Sequence, residues 1–129
     1  MRVINLIARV LLGVEFLVFG LNGFLNFIPM PPPGGLAGEY MSVMFASHYM
    51  VLVFLLQLTG GVLLLANRFE ALALTLLAPV LVNILLFHSL LSPGGLPLAL
   101  FTLVLWGVVF YGVRQAFAGL FQARVGFLR

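Results

Sequence analysis

Five polar side chains that fall well inside apolar runs are the ones able to do chemistry: Glu15, Asn22, Gln57, Asn83 and His88. A carboxyl group can take or give a proton, and amides and an imidazole can hold carbonyl oxygens. Together they describe a polar pocket for a small lipid-soluble molecule such as a quinone, with Glu15 as the candidate proton-exchanging group. Each residue also has a structural reading. Glu15 can be a protonated or amide-paired acid that locks one helix to its neighbours. Gln57, Asn83, Asn22 and Asn26 can be hydrogen-bonding glue between helices. Two histidines, His48 and His88, fall at similar depth and invite the thought of a bis-histidine haem, but nothing else in the chain supports one. No two ligand-type residues show a compact i, i+3 or i, i+4 spacing, so no metal site is expected.

The elements that must position these residues are long apolar segments. A membrane-crossing helix needs about 20 mostly apolar residues. Four stretches qualify: about 3–27, 47–66, 71–91 and 97–117. Between them lie a Pro- and Gly-rich loop over 28–46, a tight connection at 67–70 and a Pro-Gly-Gly loop at 92–96. The expectation is an all-α, integral-membrane four-helix bundle forming one domain over 1–129. The segment Leu36–Ala46 is apolar enough for a short helix on the outer membrane surface. It is either a lid over the bundle or a greasy connector. Pro-Gly-Gly-Leu occurs in both outer loops, at 33–36 and 93–96, a repeat too short to carry weight.

Orientation follows from the arginines. Arg2, Arg9, Arg68, Arg114, Arg124 and Arg129 all fall on one side of the four spans, and the other two loops hold no lysine or arginine. Positive residues stay cytoplasmic, so both termini and the 67–70 loop are expected inside.

Composition agrees. The chain of 129 residues is 64% hydrophobic and 7% charged, whereas a soluble domain usually carries about a quarter charged residues. The formal charge of +3 is spread as single arginines with no lysine, which argues against nucleic acid. With no cysteine, disulfides, iron–sulfur clusters and thiol redox chemistry are excluded. Residues 1–20 resemble a signal peptide, but Glu15 interrupts the apolar run and no small-residue cleavage site follows, so an uncleaved first span is expected.

Depth can be estimated from a rise of ~1.5 Å per residue. Glu15, Gln57 and Asn83 then share one mid-membrane layer, while Asn22 and His88 lie about 7 residues, or ~10 Å, toward the outside. Glu15 and Asn22 are in near alignment, and Asn22 and Asn26 are i, i+4 neighbours. Gly13, Gly20 and Gly23 lie near this stripe and permit close helix approach. Phe16, Phe19, Phe24 and Phe87 are placed either to stack on a flat ligand or to pack.

The runs from Arg9-Val-Leu-Leu-Gly to Phe19-Gly-Leu-Asn-Gly-Phe, Phe27-Ile-Pro-Met-Pro-Pro, and Leu76 through Pro79 and Asn83 to His88 resemble the DoxX family, as does the Gly60-Gly61…Asn67-Arg-Phe turn. The resemblance spans about residues 9–117. It implies a four-helix bundle in a bacterial inner membrane, in a family linked to quinone-reducing thiosulfate oxidation and to oxidative-stress assemblies with soluble partners. Two departures stand out: family members often carry an acid at the position of Gln57 and an aliphatic residue at that of Glu15. Either the acid has moved between helices, or the family's usual site is altered here.

Three functions compete. One is a redox-associated subunit with quinone in an outer-half pocket, Asn22 and His88 holding its carbonyl oxygens. The second is a non-enzymatic accessory or scaffolding subunit of a larger membrane complex. The third is a small transporter, which four spans could form only as a homo-oligomer. No flavin, nicotinamide or cluster motif is present, so a stand-alone enzyme is not expected. The expected partners are the bilayer and other membrane subunits or further copies of the chain.

Overall fold

The computed structural model describes residues 1–127, so Arg129, one of the six orientation signals, lies outside the described residues. Among the described residues there are helices and turns and no strand. Helix α1 spans Arg2–Leu25, α2 Gly35–Ala46, α3 Tyr49–Leu65, α4 Glu70–Leu86 and α5 Leu96–Gly112. A π-turn at Phe87–Leu91 prolongs α4, and 3-10 turns follow at Pro93–Gly95 and Arg114–Phe121.

Three segments, Arg2–Leu25, Glu70–Leu91 and Pro93–Gly112, are each long and apolar enough to cross a membrane. A fourth candidate is the pair α2 and α3, which is bent by 85°. The outside of the molecule is apolar as well: Val3, Leu86 and Val104 are each more than half exposed. Such a surface is compatible with lipid as its solvent.

Local chemistry explains the ends. Asn26 adopts a left-handed conformation (φ 51°) and donates its N–H to the Asn22 carbonyl, closing α1 at Leu25 rather than at Phe27. His48 repeats the device (φ 62°) at the corner between α2 and α3. Helix α3 therefore begins at Tyr49, two residues after the expected start of the second span, and reaches spanning length only together with α2. Helix α5 also ends before residue 117, the expected end of the fourth span. Arg114 turns back, donates to the Tyr111 carbonyl at 2.6 Å and lies over the Tyr111 ring. That satisfies an end carbonyl, and α5 stops at Gly112.

The long helices close on one another in the order α1, α3, α4, α5 and back to α1. Leu12, Leu64, Leu74, Leu77 and Val109 are fully buried between them. The α1–α3 seam is backbone against backbone. A Cβ on Gly61 would lie 2.8 Å from the Leu17 nitrogen and 2.9 Å from the Gly13 carbonyl oxygen. Small residues allow that approach, which gains dispersion contacts and suits association in lipid. In α4, Pro79 removes the donor that would serve the Thr75 carbonyl. One position away, the Trp106 indole N–H donates to the Leu74 carbonyl at 3.1 Å, tying α5 to α4 beside the break.

Candidate functional site

Glu15 faces α5, not α3. The Thr102 hydroxyl donates to its Oε1. The same hydroxyl also lies 2.9 Å from the Leu98 carbonyl. A threonine hydroxyl has one hydrogen, so one of these two bonds needs a second donor. The other carboxyl oxygen, Oε2, is buried and has no hydrogen-bond partner among the described residues. Thr102 is 3% exposed. Sequence reasoning passed over it, although a lone threonine in the apolar middle of α5 is a readable signal.

Asn22 is buried, and its side-chain oxygen accepts the Ile28 N–H at 2.7 Å. Because its own backbone carbonyl accepts from Asn26, one residue organises the whole chain reversal after α1. Its amide oxygen is thus engaged within the fold.

Asn83 accepts the Tyr40 hydroxyl at 3.1 Å. This bond fastens α2 across the end of the bundle. Tyr40 also packs on Phe87, with ring centroids 5.5 Å apart, and Phe45 packs on Phe54. Ala37 is buried beneath α2. The short helix expected in the first outer loop is present, and it is docked on the bundle rather than dangling from it.

His88 sits in the π-turn after α4. Its Nδ1 lies 3.2 Å from the Ser92 carbonyl, and its ring packs edge-on against Phe87. A Cβ on Gly95 would meet the His88 ring at 2.3 Å, so the glycine makes room for the imidazole. His88 braces the loop between α4 and α5. His48 is exposed at the α2–α3 corner. Among the described residues, no group of three histidines, cysteines or acids could hold a metal ion.

Gln57 differs from the rest. It is 6% exposed, beside Gly20 on the α1–α3 seam. No side-chain hydrogen bond among the described residues involves it. Among the described residues, Glu15 Oε2 is the buried side-chain oxygen left without a partner, and the Gln57 amide makes no side-chain hydrogen bond.

The aromatic candidates are packing residues where their contacts are defined. Phe16 is in the core, and Phe24 meets Phe54 edge-on. A cavity of about 180 Å³ is lined by Phe24, Phe45, His48 and Phe54 among others. A larger one, about 840 Å³, lies at the opposite, arginine-bearing end. Neither is lined by any of the five candidate residues. Another polar residue that sequence reasoning passed over is Asn5, whose amide donates to the Val108 carbonyl at 3.1 Å and joins α1 to α5.

Comparison with known proteins gives no relative: no family model matches the chain, and no curated protein or solved structure matches it.

Proposed function

We propose that this chain is a DoxX-like, four-span inner-membrane protein that serves as a non-enzymatic accessory subunit of a larger membrane complex, with both termini cytoplasmic. One observation carries this reading. Four of the five candidate residues, Glu15, Asn22, Asn83 and His88, make polar contacts within the chain that join helices or close loops. Intramembrane polar groups are costly, and here they hold helices, a docked outer helix and two loop ends in place. The result is a stiff greasy block with little soluble mass, suited to filling and bracing an assembly.

A second reading rests on the two groups left over. Glu15 Oε2, on the α5 side of α1, offers a proton-exchanging oxygen, and Gln57, on the α3 side, offers a separate amide to a small polar headgroup such as a quinone carbonyl. In that reading the subunit is redox-associated, and the electrons come from a partner.

Isolation from native membranes in mild detergent, with quantification of co-purifying proteins and extracted lipid-soluble molecules, separates the two. A stoichiometric protein partner without quinone supports the accessory subunit. Stoichiometric quinone without a partner, lost in a Gln57→Leu variant, overturns it in favour of the second reading.

A further inference from the structure

The 840 Å³ cavity at the arginine-bearing end belongs to no role described so far. Arg2, Arg9 and Arg114 line it, with Glu70 the only acid, so three positive charges against one negative leave a net +2. Among the described residues no ion pair neutralises any of these arginines. Arg9 donates one N–H to the Leu64 carbonyl and Arg114 one to the Tyr111 carbonyl. A guanidinium has five N–H donors, so both keep donors free, and Arg2 makes no side-chain hydrogen bond among the described residues.

The remaining wall is apolar. Ile4 on α1 and Val104 on α5 line the cavity and are each more than half exposed. Gly107 completes this wall, and a Cβ there would meet nothing within 4 Å. The cavity thus pairs a cationic end with an apolar flank between two helices long and apolar enough to cross a membrane.

We propose that this cavity is a binding site for an anionic phospholipid, its phosphodiester held by Arg2, Arg9 and Arg114 and an acyl chain lying along α1 and α5 over Gly107. Arginine recognises phosphate through paired N–H donors, and basic pockets between helices on the cytoplasmic side suit such headgroups. The anionic charge answers the net +2, and the acyl chain covers apolar surface that a free phosphate would leave bare. The site rests on the membrane placement proposed above.

The test uses the full chain reconstituted in vesicles of equal phosphatidylglycerol and phosphatidylcholine, floated on a density gradient, then extracted in mild detergent. Lipid retained by the protein is quantified. Flotation tests the membrane placement separately from the lipid site. The wild type is expected to retain phosphatidylglycerol in preference to phosphatidylcholine. Arg2→Gln with Arg114→Gln should weaken that preference by about fivefold per arginine, roughly 25-fold for the pair. Gly107→Leu adds bulk to the apolar flank without altering charge, at a position where a Cβ meets nothing within 4 Å, and should also lower retention. Equal retention of the two lipids by the wild type overturns the proposal, as does unchanged retention in both variants. Displacement of phosphatidylglycerol by millimolar glycerol phosphate also overturns it, since the site would then take free phosphate.

Discussion

At the scale of single residues, the Glu15–Thr102 pair is the most informative. Glu15 is half-buried, with Oε1 bonded to Thr102 across the α1–α5 contact and Oε2 without a partner among the described residues. Removing one partner of a buried hydrogen bond costs about 1–3 kcal/mol, whereas replacing both with apolar groups can be neutral or stabilising. Thr102→Val alone should therefore lower thermal stability, while the Glu15→Leu, Thr102→Val double variant should melt at or above the wild-type temperature. A double variant that falls further than the single one would mean that Glu15 holds the fold through contacts other than Thr102. The presence of Glu15, Asn22, Gln57 and Asn83 in greasy segments was legible from sequence. Their partners were not, because a partner such as Thr102 or Tyr40 lies 87 or 43 residues away in the chain. Helical spacing relates residues within one element and says nothing about which neighbour that face meets.

At the scale of elements, the glycine seam and the docked outer helix make separate predictions. Gly61→Leu would push a side chain into the α1 backbone, where no flexible atom can yield. It should abolish recovery of folded protein, while Gly107→Leu, facing open space, should be recovered at wild-type yield. Tyr40→Phe removes the bond from α2 to Asn83, worth about 0.6 kcal/mol on average between membrane helices. Hydrogen exchange over 35–46 should quicken while the core of α3 stays protected. Unchanged protection over 35–46 would mean that apolar packing, including the ring at position 40 on Phe87, holds α2 down without the hydroxyl. The helices themselves were legible because apolar runs and Pro-Gly breaks mark them. Their ends were not: Asn26 and His48 in left-handed turns and Arg114 bonded to Tyr111 depend on backbone geometry that hydropathy does not encode.

At the scale of the whole molecule, orientation and purpose are joined. The absence of cysteine makes single-cysteine labelling clean. In intact cells Ser92→Cys should react with a membrane-impermeant maleimide, and Arg68→Cys should react only after permeabilisation. The reverse pattern would turn the bundle over and place the basic cavity outside. In the proposed function the polar residues within the apolar helices serve the fold and assembly of a subunit rather than a bound ligand. The most direct test is thermal melting of the purified protein, with and without added short-chain quinone, for the wild type and for Asn22→Ala, Asn83→Ala and His88→Ala. Each variant is predicted to melt lower than the wild type, with no shift on adding quinone. A wild-type melting temperature that rises with quinone concentration, as binding to the native state requires, in variants that otherwise melt normally but lose that rise, would contradict it.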